Sequence, residues 1–179
     1  MSITQTAIAD SIAQVLLDEF ETQAPITRRF LERLPEDKLT WKPHEKSMTA
    51  GQLAYHIAST PGGVVRFVQT SPAQAPDFAT FPQPASTGDI LQKFDESVAA
   101  VREMLPAIDD AAMNETWRLM AGGKEVLAQP RWQFLRDVMF SHVYQHRGQF
   151  GVYLRILNAP VPASWGPSAD EPPLFMQRA

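Results

Sequence analysis

Four stretches of this chain place apolar residues at alternating intervals of three and four, with prolines between them. That spacing lines one side of an α-helix and leaves the stripe in need of a partner. The first stretch, residues 4–34, carries Ile8, Ile12, Val15, Leu16, Phe20, Ile26, Phe30 and Leu34; Pro25 is expected to kink or interrupt it near Thr22–Ala24. A loop over 34–47 follows, with Pro35 and Pro43 as breakers. Thr49 and Gln52 form a capping box for a second helix running to about Gln69, weakened by Pro61, Gly62 and Gly63. Ser86 or Thr87 starts a third helix with Leu91, Phe94, Val98, Val101 and Leu105 inward, ended by Pro106. Pro130 suits the first turn of a fourth, which carries Phe134, Leu135, Val138, Met139, His142, Val143, His146, Phe150, Tyr153, Leu154 and Leu157.

Between these, residues 71–86 are rich in proline and alanine and read as a long surface connection. Gly122-Gly123 within 116–130 predicts a short β-hairpin before the last helix. The tail 159–179 holds too many prolines for regular structure. The expected fold is all-α, a four-helix bundle with long loops, in a single domain over 1–179.

Composition narrows the function classes. Of 179 residues, 44% are hydrophobic and 20% charged, which suits a globular protein with a proper core. The formal charge is 16 − 20 = −4 with no basic run, which argues against nucleic acid, because phosphate binding needs clustered Lys and Arg. Arg28-Arg29 is the densest basic spot and reads as a solvated helix face. There is no cysteine, so disulfides, thiolate metal sites and cysteine nucleophiles are excluded and a reducing cytoplasm is the expected setting. No signal peptide and no membrane span are expected, since no basic-then-apolar leader opens the chain and no apolar run approaches 18 residues.

Chemistry then rests on histidine. The chain has four, and three fall in apolar stripes. His142 and His146 lie four apart on the fourth helix, about 6 Å along the axis, and project from one face. His56 follows Thr49 and Leu53 on the inward row of the second. A single buried histidine is more often a hydrogen-bonded core residue than a ligand. An i, i+4 pair with a third imidazole on another helix points instead to a three-ligand metal site with one open position.

Several motifs make the chain resemble the DinB-like (DinB/YfiT) superfamily of metalloenzymes. They are Trp41-Lys42-Pro43, the run Ser47–Leu53 leading to His56-Ile57, and His142-x-x-x-His146-Arg147-Gly148-Gln149. The ending Pro160-Val161-Pro162 with Trp165–Glu171 adds to them. The resemblance covers essentially the whole chain. It implies a four-helix bundle, a divalent metal held by His56, His142 and His146, and a homodimer. Some similar proteins are thiol-cofactor-dependent transferases, so the resemblance leaves the small-molecule substrate unassigned.

Other residues carry weaker signals. His44 lies in a polar loop and reads as solvated. Gln149, three beyond His146, can orient it. Arg147 is one step off the histidine row and is expected to snorkel, to pair with an acid such as Asp137, or to pack at a dimer surface. Gly148 is expected to allow close helix packing. Tyr55 and Tyr144 neighbour histidines in sequence and so point elsewhere. Glu19 continues the row Ile8–Ile12–Val15, which makes it the one carboxylate considered as a base or extra ligand, although an exposed or ion-paired position fits it better.

Three neutral nitrogen ligands suit zinc, nickel, iron or cobalt and suit magnesium or calcium poorly. Such a centre acidifies a bound water or accepts a thiol or carbonyl oxygen at its open position. The two enzymatic readings are metal-dependent hydrolysis and thiol-dependent group transfer. The non-enzymatic one is a metal- or small-ligand-binding bundle, and a core stack of histidines without an ion is a third.

Overall fold

A computed structural model describes residues 10–76 and 80–177. It is mostly helical, with a small three-stranded sheet. Helix α1 spans Ile12–Leu31, α2 Ala50–Phe67 and α3 Thr87–Met104. The last long rod is built of α5 (Arg131–Phe134), a π-helical segment (Leu135–Ser141) and α6 (His142–Ile156). Short helices α4 (Asp110–Asn114) and α7 (Leu174–Gln177) flank it in sequence.

The caps explain the helix starts. Ser11 Oγ accepts from Gln14 N. Both arms of the Thr49/Gln52 capping box are made, and Ser86 with Asp89 makes another at α3, so Ser86 and not Thr87 is that cap. Asn158 at φ 57 ends the last rod, with Ala159 N donating to Leu154 O at 2.9 Å.

Helix α1 runs through Pro25 and α2 through Pro61, each as one continuous helix. In α2 the glycines serve packing. Gly62 N donates to the buried Ser97 Oγ of α3 at 2.6 Å, and a Cβ at 62 would come within 2.7 Å of Ser97 Cα. The α2–α3 approach therefore requires glycine. Gly148, expected to play that part on the last rod, faces open space; Gly151 instead meets Phe30 of α1.

The hairpin is present. Strands β2 (Thr116–Ala121) and β3 (Lys124–Pro130) pair antiparallel across Gly122 and Gly123, both at positive φ. The all-α expectation is amended there and again in the proline-rich connection, where β1 (Ala73–Gln74) adds to β2 in parallel. Backbone pairing overrode a local composition that signals a loop. The tail also departs from expectation, with one helical turn in α7.

One core joins these elements. Phe20, Phe30 and Leu31 of α1 meet Leu53 and Ile57 of α2, Ile90 and Phe94 of α3, and Phe140, Phe150 and Leu154 of the last rod. Val15 faces solvent, and Ile8 lies outside the described residues. Arg28-Arg29 is not a merely solvated pair: Arg28 pairs with Glu32 and Asp95, and Arg29 with Glu171. Glu171 also accepts from Ala163 N at 2.9 Å, and Asp170 from Val161 N at 2.8 Å, so the tail is strapped onto α1 and α6. Among the described residues, no helix is long and apolar enough to cross a membrane.

Candidate metal centre

The π-helical segment sets the azimuth of the histidine pair. His142 N donates to Asp137 O, five residues back, so the rod takes in one extra residue just before the site. Nothing in the apolar spacing encodes this, because Phe134, Leu135, Val138 and Met139 fit an unbroken α-helix. From His142 onward the α-helix is regular, and His142 and His146 face α2.

The three predicted histidines converge. His142 Nε2 lies 3.4 Å from His56 Nε2 and 2.7 Å from His146 Nε2. One ligand nitrogen from each falls within 4.8 Å of the others, and among the described residues no carboxylate joins the group. Ring centroids stand 4.4–5.0 Å apart with steep interplanar angles, so the rings meet edge-on with their nitrogens inward.

Neighbours fix the ring orientations. His146 Nδ1 donates to Gln149 Oε1 at 2.8 Å, which puts its proton on Nδ1 and leaves Nε2 a bare lone pair. The Phe81 ring packs edge-on against His56 at 5.7 Å. Gln52 Nε2 donates to Phe81 O at 3.1 Å, and Thr49 Oγ1 to Gln83 Oε1 at 2.7 Å, so the return segment is pinned beside the site. Spacing gave no hint of Phe81; only the tertiary path brings it there. His142 Nδ1 is buried with no hydrogen-bond partner.

The donor set fits a divalent transition metal. A tetrahedral ion with bonds of about 2.0–2.1 Å holds its donors about 3.3 Å apart. The His56–His142 separation of 3.4 Å matches this, while the 2.7 Å His142–His146 contact is tighter. Burial, then His146 and His142, push the His56 imidazole down to about 4. Burial and then His146 push His142 down too. Both rings are therefore neutral at pH 7, as metal ligation requires.

This shift has a sign. Unfolded histidine titrates near about 6.5, so the unfolded chain takes up these protons first as pH falls. The metal-free fold should thus lose stability from about 6.5 down toward about 4, where His56 itself protonates. A metal held by the three rings should dissociate in acid for the same reason. Thermal unfolding of metal-free protein from pH 7 to 4, with metal content measured alongside, checks both. A flat stability profile, or metal retained well below pH 4, contradicts the placement.

The remaining residues are assigned by their contacts. Glu19 is not at the centre: it accepts from Tyr144 OH at 2.7 Å and faces Arg136 at 3.6 Å, bridging α1 to the last rod. Burial, and then that hydrogen bond, raises the Tyr144 hydroxyl well above its ordinary range. Arg147 neither snorkels nor meets Asp137. It is 8% exposed, donates to Thr27 Oγ1 and Gln23 Oε1 of α1, and lies 5.1 Å over the Tyr144 ring. His44 stays in its loop, accepting from Lys46 N at 3.2 Å.

The chain is 26% identical over 157 residues to the uncharacterized protein YrdA of Bacillus subtilis (strain 168), covering 87% of this chain and 89% of that protein. Its fold is similar to that of a DinB-like protein from Bacillus cereus ATCC 10987, with a TM-score of 0.69 and 20% identity over 84% of this chain and 96% of the other. A DinB-like protein from Bacillus subtilis, YjoA, superposes with a TM-score of 0.61 and 16% identity over 83% and 96%. All three histidines lie within residues 19–150, which match the DinB superfamily, and by that match the chain belongs to the DinB superfamily.

Proposed function

We propose that this protein holds one divalent transition metal (zinc, nickel or iron) between His56, His142 and His146, and uses the open coordination position in a metal-dependent reaction on a small molecule. One observation carries the reading: the three Nε2 atoms face one another. With His146 Nε2 bare, an ion-free cluster needs the His142 proton on Nε2, where it serves His146 and not also His56. A cation accepts all three Nε2 lone pairs together, with the His142 proton then on the buried Nδ1. We favour this arrangement over an ion-free core stack.

When bound, such an ion supplies Lewis acidity toward water or a donor atom of the substrate. The chain's own residues do the rest. Gln149 holds His146 in the tautomer that presents Nε2, and the Phe81 ring packs edge-on against His56. Hydrolysis and thiol-dependent group transfer both remain within this chemistry, and the alternative is a non-catalytic metal- or ligand-binding bundle. A substrate screen on metal-loaded protein with a His146→Ala control separates them: activity should vanish in the control, and activity that persists contradicts metal catalysis.

The proposal includes the architecture around the site. Helices α1, α3, α2 and the last rod pack in that cyclic order, as a four-helix bundle would, within a single domain over 1–179. A homodimer in the cytoplasm, binding neither nucleic acid nor membrane, completes the reading; it rests on the family resemblance, the absence of cysteine and the charge of −4.

Gln149 offers a direct prediction. Its side chain is exposed, so Gln149→Ala should leave the fold intact while weakening metal affinity by about 10–100-fold, as loss of an orienting partner does. Gln149→Glu keeps an acceptor and should restore most of it. Competition titration against a chelator measures both, and an unchanged affinity in Gln149→Ala contradicts the orienting role.

A further inference from the structure

The rod that carries His142 and His146 is gripped from behind by α1. Arg147 and Tyr144 project about 120° and about 180° around the rod from the histidine pair, at about 100° per residue. Both reach one row of α1, formed by Glu19, Gln23 and Thr27 at intervals of four. Tyr144 OH donates to Glu19 Oε1 at 2.7 Å, Arg147 Nη2 to Gln23 Oε1 at 2.9 Å, and Arg147 Nη1 to Thr27 Oγ1 at 3.1 Å. Each rung of this polar ladder thus accepts one hydrogen bond from the ligand-bearing rod, on the side turned away from α2.

Stability does not account for Arg147. Its guanidinium is buried, and its acceptors, Thr27 and Gln23, are neutral. Burying a charge on such partners is costly, and an apolar side chain of similar volume commonly serves the fold as well or better. What an apolar side chain cannot supply is direction. The planar fork spans two rungs of α1, so it fixes both the rotation of the last rod and its height against α1. Rotation matters at this point of the chain, because the π-helical segment takes in an extra residue just before His142. A turn of about 10° carries an atom about 5–6 Å from the helix axis through about 1 Å. Metal–ligand distances tolerate only about 0.2 Å.

We propose that Arg147 is a positioning residue for the metal centre: together with Tyr144 it locks the last rod against α1, so that His142 and His146 meet His56 in ligating geometry. The inference rests on the metal reading above, and the test separates the two. Zinc affinity is measured by chelator competition on protein shown to be folded by circular dichroism. Arg147→Met should bind zinc about 10–100-fold more weakly, the usual effect of losing a partner that orients ligands, while its metal-free urea midpoint stays at or above that of the wild type. Arg147→Lys keeps the charge but reaches one rung, and should recover little of the affinity. Gln23→Leu removes a rung from a helix that supplies no ligand. It should weaken zinc binding on its own and add nothing to Arg147→Met. An arginine with a merely structural role would move the midpoint and leave the affinity of folded protein alone.

Unchanged zinc affinity in Arg147→Met overturns the positioning role alone, as do full rescue by lysine and losses that add in the double variant. Should Arg147→Met fail to fold, Gln23→Leu decides, and an unchanged affinity there overturns the proposal. Wild-type protein that takes up no zinc overturns the metal reading and this inference with it.

Discussion

Replacing His146 with alanine is expected to lower zinc affinity by more than about 100-fold, beyond the usual cost of losing a mere orienting partner. His56→Ala should do the same, although position 56 is on a different helix, 86 residues from His142 in sequence. The physical reason is donor count. Three imidazoles hold the ion with one position open; two leave it to water. Each variant should fold, because these rings are only partly buried and removing one relieves the crowding of their nitrogens. Chelator competition measures the affinity, and circular dichroism confirms the fold. If His56→Ala keeps wild-type affinity while His146→Ala does not, the centre is a two-histidine site on one helix and the convergence across helices has no functional meaning.

The largest expected effect on stability lies away from the histidines. Trp117 of β2 is fully buried, its ring 4.2 Å from Phe134 and 5.4 Å from Phe67, and its Nε1 donates to Thr70 O at 2.8 Å. It fastens the sheet to the end of α2 and the start of the last rod. Trp117→Ala should cost about 3–5 kcal/mol, the range for emptying a large aromatic site in a core. It also orphans the Thr70 carbonyl. Trp117→Phe should recover part of the loss by refilling most of the volume. Urea unfolding reads both, and a loss under about 1 kcal/mol for Trp117→Ala would mean the sheet is an appendage and not part of the core.

Trp117 also shows where sequence reading stops. The hairpin was legible, because Gly122-Gly123 is a local signal for a local turn. The burial of its tryptophan was not, because that depends on Phe67 and Phe134 arriving from distant parts of the chain. Strand β1 was hidden for the same reason: Ala73–Gln74 pairs with Leu119–Met120 across more than forty residues, with no propensity of its own to announce it. The capping box at Thr49 was readable, since three-residue side-chain geometry decides it, while the α3 cap was narrowed only to Ser86 or Thr87.

The histidine cluster was legible to an unusual degree because two of its members share a helical face and the third falls on an inward row. Arg147 was misread for an instructive reason. Its charge suggested a surface or an acid, whereas α1 offers Thr27 and Gln23 as neutral acceptors, and burial pushes against the charge it retains. Glu19 was considered for the centre through a row containing Val15, yet Val15 is 55% exposed and Glu19 is held by Tyr144 and Arg136 instead. The π-helical segment had no signal in the apolar period at all, and it sets the face on which the last rod presents His142.

X-ray absorption at the metal edge of zinc-loaded protein, purified without a nickel resin, probes the centre most directly. Three imidazole nitrogens at about 2.0–2.1 Å and one light exchangeable ligand are predicted, with the imidazole count falling to two in His56→Ala. A first shell of oxygens, or one with fewer than three imidazoles in the wild-type protein, would contradict the assignment of His56, His142 and His146 to a single ion.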